Sequence, residues 1–190
     1  MESESPPGDG EACAVLLGGR LRIIQPRLGY RFSIDALLLA HFVRLKEGAS
    51  VLELGTGSGV IAVLLARRRQ CRRVIGIEIQ PELADLARRN VRENGLDDRV
   101  EIRCGDVRKP AGLIPERAFD AAVFNPPYRR LETGRINDNP QRANSRHELL
   151  GSVRDFLNAA APALKAKGSV SVIYPSSRTV DLFAAMRGAR

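Results

Sequence analysis

The sequence predicts an α/β fold: a doubly wound, mainly parallel sheet with helices on both faces, preceded by a β-hairpin. Three observations carry this expectation. From residue 50 onward short apolar, β-branched runs alternate with segments of helical period, the pattern of parallel strands joined by crossover helices. The apolar run Val51-Leu52-Glu53-Leu54 passes into the glycine-rich turn Gly55-Thr56-Gly57-Ser58-Gly59 and then into a second apolar run. Acidic residues close successive strands, at the edge where open parallel sheets bind ligands.

Residues 1–12 are rich in Glu, Ser, Pro and Gly and are expected to be a disordered tail. Residues 14–17 and 20–24 flank Gly18-Gly19 and read as a hairpin closed by a two-residue turn of positive φ. Ser33 is an N-cap candidate for a helix over 34–43, with Asp35 where a carboxylate suits the helix dipole. Then follow strand 50–54, helix 60–68, strand 73–78, helix 82–94, strands 100–104 and 119–124, helix 153–164 and strand 169–174. Pro81 before the second of these helices and Gly95 after it are the expected start and stop residues. Residues 125–148 are polar and aperiodic, and a loop this long inside a domain is usually a binding or lid segment. One domain is expected over 13–190: a hairpin at 13–32, a helical approach at 33–48 and the sheet core at 49–190.

No stretch nears the roughly 20 apolar residues that span a bilayer, and the acidic N-terminus is unlike a signal peptide, so a soluble cytoplasmic protein with no membrane partner is expected. Cys13, Cys71 and Cys104 are widely spaced and suggest neither disulfides nor a metal site; small, partly buried thiols are expected. The 30 basic against 22 acidic residues give a net charge of +8, pointing to an anionic partner. Two clusters stand out. Arg67, Arg68, Arg69, Arg72 and Arg73 close one predicted helix and are divided between a solvated face and RNA binding; Arg129, Arg130, Arg135, Arg142 and Arg146 follow residue 128 and are favoured for phosphate contacts.

The glycines at 55, 57 and 59 miss the G-x-G-x-x-G spacing of dinucleotide sites, and no Lys-Ser/Thr ending of a phosphate loop follows. Glu53 would repel a pyrophosphate but suits a cationic amino-acid moiety. Glu78, closing the next strand, can accept hydrogen bonds from ribose hydroxyls, and Asp106 follows the third strand.

After the run Ala121-Ala122-Val123-Phe124 stand Asn125-Pro126-Pro127-Tyr128, which suit methylation of a planar, weakly nucleophilic nitrogen. The Asn125 side-chain oxygen and the Pro126 carbonyl can accept two N–H groups, the prolines stiffen the turn, and Tyr128 offers a stacking face. A plain proline turn is the alternative. His147, in a polar loop, reads as a hydrogen-bond partner rather than a base, and His41 as a structural residue on an apolar helix face.

As an ordered set over 50–128, the segments Glu53 to Gly59, Glu78, Asp106-Val107 and Asn125 to Tyr128 resemble the motifs of class I S-adenosylmethionine-dependent methyltransferases that modify amino groups. The resemblance implies a Rossmann-like fold and S-adenosyl-L-methionine as cofactor. It implies that Glu53, Gly55, Thr56, Gly57 and Gly59 cradle the methionine moiety, Glu78 holds the ribose, Asp106 meets the adenine amine and Val107 lies near its ring. Segments 19–25, 29–40 and 144–148 are similar to bacterial valine-tRNA adenine-N6 methyltransferases, with Ser145 where that family usually has Ala, and place Phe32 and Asp35 against the cofactor pocket. In that fold two further antiparallel strands normally close the sheet, and they are expected to be missing here.

The expected reaction is transfer of the sulfonium methyl to N6 of an unpaired adenine in RNA, tRNA before others, next to the anticodon. Asn125 and Pro126 would hold the amine, and no metal is required. The competing acceptors are a termination-factor glutamine and adenine in DNA or ribosomal RNA; a non-catalytic RNA-binding module is the other alternative. The oligomeric state is open between monomer and weak dimer.

Overall fold

The computed structural model describes residues 7–126 and 151–189. A two-stranded antiparallel hairpin, β1 (Glu11–Leu16) and β2 (Leu21–Pro26), leads through α1 (Ile34–Phe42) into a five-stranded parallel sheet. In chain order this comprises β3 (Ala49–Leu54), α2 (Val60–Ala66), β4 (Cys71–Glu78), α3 (Pro81–Glu93), β5 (Val100–Cys104), β6 (Phe119–Phe124), α4 (Val153–Ala163), β7 (Leu164–Val172) and α5 (Thr179–Gly188). The sheet order is β5-β4-β3-β6-β7, so the chain starts at the centre, runs outward to β5, then returns across β3 and runs the other way. That reversal between β3 and β6 opens a crevice at the C-terminal ends of the strands.

Side-chain alternation divides the sheet between two cores. Val51, Val74, Ala121 and Val123 face a cluster with the hairpin, α1, α2 and α3, while Leu52, Leu54, Ile75, Ile77, Ala122 and Phe124 face α4 and α5. Both faces of β3 are covered and all six of its residues are buried, so its sequence is a continuous apolar run broken only by Ser50 and Glu53. Helix α2 is apolar around nearly its whole circumference for the same reason, lying between the sheet and α1. Helix α3 is amphipathic, begins at Pro81 and ends before Gly95 at φ 61°. Helix α4 is fixed by a capping box in which Ser152 and Asp155 bond each other's backbone N–H groups.

Several expectations need correction. The hairpin does not close on Gly18-Gly19 alone: Leu16 pairs with Leu21, and Leu17, Gly18 and Gly19 form a 3₁₀ turn in which all three have positive φ. Ser33 caps α1 by position only, since its hydroxyl donates to Asp35 at 3.0 Å. Helix 60–68 ends at Ala66, strand 73–78 starts at Cys71, and helix 82–94 runs from Pro81 to Glu93. Strand 169–174 begins at Leu164, because α4 passes directly into β7 through a register break, with Lys167 at φ 67°. His41 is exposed, although it lines a cavity with the apolar residues Leu37, Ala40 and Leu64. Cys71 is buried but Cys104 is exposed.

Candidate active site

The C-terminal ends of the parallel strands bring the sequence-selected residues to one edge. Leu54 pairs with Phe124 and with Ile77, and Phe124 with Val172, so Gly55, Glu78, Asn125 and Ile173 leave the sheet at nearly one level. The glycine-rich turn is anchored to β4 by the Gly55 and Thr56 N–H groups, which donate to the Ile77 carbonyl at 2.8 and 3.0 Å. Its backbone then needs glycine. Gly57 has φ 56°, and a Cβ there would lie 2.6–2.8 Å from the Tyr30 ring and hydroxyl; Gly59, the N-cap of α2, has φ 81° and abuts Ala87.

Two buried carboxylates flank this turn. Glu53 is 1% exposed, accepts a 2.6 Å bond from the Thr56 hydroxyl, and has its Oε1 unpaired among the described residues. Burial pushes its pKa up to about 8, against the pull of the Thr56 hydroxyl and the Ala62 amide. Glu78 accepts from the Gly57 N–H at 2.8 Å and the Gln80 N–H at 3.0 Å, and burial raises its pKa too. Each Glu78 oxygen retains acceptor capacity for a hydroxyl. Tyr30 closes the turn from the hairpin side; burial first, then Glu78 and Glu53, raise its phenol pKa strongly.

The remaining residues differ in how ready they are. Asp106 carries a bidentate pair with Arg108, at 2.7–3.0 Å, and its carboxyl is held below the usual range by that guanidinium. It must share its oxygens with any adenine amine. Val107 is buried in the α4-side core with Phe124 and Phe156. Phe32 is partly buried against the other core. Asp35 and Asn125, with Ile173, Tyr174 and Pro175, line a cavity of about 320 Å³ beside the turn from β6. A larger cavity, about 590 Å³, lies between the hairpin, α1 and the end of α2 and shares no residue with this edge. Pro126 is buried, while Pro127, Tyr128, Arg129, Arg130, Arg135, Arg142, Arg146 and His147 lie outside the described residues.

These residues fit a cofactor with a cationic amino-acid end and a ribose. The unpaired Glu53 oxygen can accept from an ammonium, the bare glycine backbone permits close approach, and Glu78 stands one strand away. No cluster of three or more potential metal ligands occurs among the described residues, and none of their helices is long and apolar enough to cross a membrane.

In the first arginine cluster Arg67, Arg69, Arg72 and Arg73 are exposed, as a solvated face requires, and most of its members also bond neighbouring elements. Arg68 donates to the Ala40 and Val43 carbonyls and so caps α1, Arg67 reaches the Asn94 carbonyl at 3.3 Å, Arg72 reaches Ser50 and Arg73 pairs with Glu101. Four of its five members therefore tie elements together. Sequence reasoning missed Tyr30, Tyr174 and Asn90. The last has a legible signal: an amide on the otherwise apolar stripe Leu83, Ala87, Asn90 and Val91 of α3, fully buried.

Comparison with known proteins places these features in context. The family model for protein-L-isoaspartate(D-aspartate) O-methyltransferase matches residues 30–125. A tRNA1(Val) (adenine(37)-N6)-methyltransferase of Porphyromonas gingivalis is 32% identical over 86% of this chain and 66% of its own length. A namesake from Trichodesmium erythraeum is 32% identical over 80% of this chain and 64% of its own. The chain thus spans just under two thirds of the length of these curated relatives. Among solved structures, TrmN from Thermus thermophilus superposes with a TM-score of 0.58 at 25% identity, over 80% of this chain and 40% of that one. An O-methyltransferase-type protein of Agrobacterium tumefaciens shares the fold, with a TM-score of 0.62 at 23% identity over 79% of this chain and 65% of that one.

Proposed function

The chain belongs to the S-adenosylmethionine-dependent methyltransferases, the family of both the matched model and the adenine-N6 relatives, and from that premise we propose that it methylates N6 of an adenine in RNA. Transfer RNA is the favoured substrate, at an adenine beside the anticodon, in keeping with what the relatives are named for. The observation that carries this reading is the place of Asn125: an amide at the crevice of the reversed sheet, level with the glycine-rich turn and lining a cavity with Asp35 and Tyr174.

When bound, S-adenosylmethionine supplies a methyl group activated by its sulfonium. The residues do the rest by position. Glu53 accepts from the amino-acid end, with Gly55, Thr56, Gly57 and Gly59 bringing backbone close to it, and Glu78 accepts from the ribose. Asp106 takes the adenine amine after sharing its contact with Arg108, and Phe32, Asp35 and Val107 wall the pocket.

On the acceptor side, the Asn125 side-chain oxygen and the Pro126 carbonyl accept the two protons of the target amine. This turns the nitrogen lone pair out of conjugation and toward the methyl. Tyr128 stacks on the base and Pro127 stiffens the turn; Arg129, Arg130, Arg135, Arg142 and Arg146 meet phosphates, so binding weakens steeply with salt. An anticodon loop presents the base already unpaired, which lowers the cost of taking it out of a stack. The methylated nitrogen loses its proton to solvent, so no strong base is needed.

The test is mass spectrometry of nucleosides after incubating the protein and S-adenosylmethionine with bulk tRNA, ribosomal RNA, DNA or a termination factor, with Asn125→Ala as control. N6-methyladenosine in tRNA, lost in the variant, supports the proposal. Label confined to DNA, ribosomal RNA or a glutamine overturns the acceptor but not the reaction type, and label on a carboxyl group overturns both.

A further inference from the structure

Helix α3 does more than cover the sheet. Asn90 and Asn94, one turn apart, each clasp the outer edge of β2 with a two-way amide contact. The Asn90 Oδ1 accepts from the Ile24 N–H at 2.7 Å while its Nδ2 donates to the Ile24 carbonyl at 2.8 Å. Asn94 repeats this on Arg22, at 3.0 and 2.7 Å. The match is geometric: four residues of helix advance about 6 Å and two residues of strand about 6.6 Å, so i, i+4 amides meet i, i+2 peptides. With β1 on the other edge of β2, the two side chains act as a third strand. Ion pairs Arg22–Glu93 and Arg89–Glu11 and the packing of Ile24 on Leu83 and Leu86 complete the dock.

The two amides differ in one respect. The Asn90 Nδ2 also donates to the Ser58 carbonyl, at 2.8 Å, inside the glycine-rich turn. Asn94 spends its second proton on the Asn90 carbonyl, at 2.7 Å. The Ser58–Gly59 peptide is therefore held by Asn90, while the Gly57 N–H is held by Glu78. Asn90 is fully buried, with both its N–H donors used and its oxygen accepting from β2, so releasing the turn would leave a buried Nδ2 proton unpaired on the side chain that clasps β2.

We infer that Asn90 is a positioning residue that couples the glycine-rich turn to the N-terminal hairpin, so that cofactor occupancy and hairpin docking stabilise each other. By linkage, a ligand that favours the held turn favours the docked hairpin by the same factor. The inference rests on the reading that this turn holds the cofactor.

The experiment compares wild type, Asn90→Ala and Asn94→Ala by calorimetry with S-adenosylhomocysteine and by hydrogen exchange of the hairpin amides. Both variants loosen the hairpin, but only Asn90→Ala should weaken ligand affinity, by about tenfold or more against under threefold for Asn94→Ala. In the wild type, ligand should slow exchange of the Arg22 and Ile24 amides at least severalfold, a measurement that stands even if Asn90→Ala does not fold. Equal affinities in the two variants, or wild-type hairpin exchange indifferent to ligand, overturn the coupling. Failure of the wild type itself to bind ligand removes the cofactor reading and the coupling together, which distinguishes the two failures.

Discussion

The two halves of the sheet are built to different standards. On the β3–β5 side every residue of β3 is buried, and the turn's backbone is gripped by Ile77, Glu78 and Asn90. On the β6–β7 side the edge strand β7 has no fully buried residue, and the helices beside it leave apolar stripes in the open: Ile34, Leu38 and Phe42 on α1, Val180, Phe183 and Met186 on α5. Among the described residues the half that carries the glycine-rich turn is thus tightly held and the half beside β7 is more open; on the proposed reading the first would hold the cofactor and the second would face the acceptor. Substitutions in the first should register as lost stability together with lost ligand affinity, and those in the second as lost turnover or nothing.

The largest combined effect on stability and ligand affinity is expected at Gly57→Ala. The new Cβ meets the Tyr30 ring at under 3 Å and must adopt φ 56°, so overpacking and backbone strain act together. Unfolding free energy should fall by about 3 kcal/mol, and cofactor affinity with it, as read by urea melts and calorimetry. The double variant with Tyr30→Ala should be less damaged than the sum of its parts, because it removes the clash but not the strain. Additive losses would show that the ring does not limit the turn.

Asn125→Ala tests the open half. Turnover should drop about a hundredfold, equivalent to about 2.7 kcal/mol of barrier, with cofactor affinity changed no more than a few-fold and urea midpoint nearly unmoved. A matched loss of affinity and stability would place Asn125 in the prebuilt half after all.

What the chain betrays in advance follows the same division. Strands, crossover helices and the residues at the strand ends were legible because each depends on a local pattern: a run of β-branched residues, a glycine spacing, an acid closing a strand. The N-terminal glycine turn and the start of β7 were misread because Leu17 and Lys167 take positive φ, which no local propensity announces. Asn90 and Tyr30 went unread for a different reason. The apolar stripe around Asn90 marks its burial, but the partners of both lie 66 and 27 positions away, at Ile24 and Gly57, and no spacing names a partner over that distance.

Glu53 gives the comparison a pH signature. Its folded pKa of about 8 lies above that of an unfolded carboxyl, so the folded state holds a proton that the unfolded chain has released. The Glu53 contribution is then most favourable below about pH 4.5 and is lost progressively up to about pH 8. Glu53→Gln should flatten that slope, a gain on the order of 3 kcal/mol at pH 8 relative to pH 5, while Glu78, also raised by burial, keeps a contribution of the same sign. Asp120, on β6, has the opposite sign: Lys165 lowers its pKa, so its contribution is present above the ordinary carboxylate range and fades as pH falls. Thermal melts of wild type and Glu53→Gln across pH 5–9 read this directly, and parallel curves would sink the assignment.

The smallest effect belongs to the exposed stripes. Phe42 is 71% and Phe183 59% exposed, so lysine at either site gives up little burial in the folded chain while keeping helix propensity. Unfolding free energies should stay within about 0.5 kcal/mol of wild type, whereas a comparably sized truncation in the closed half, Leu52→Ala, should cost about 2–5 kcal/mol. If Phe42→Lys or Phe183→Lys instead destabilised the protein by more than about 1 kcal/mol in a concentration-dependent way, the stripes would be covered in solution. The open half would then be completed by another surface, and light scattering across the same concentrations would show whether that surface is a second copy.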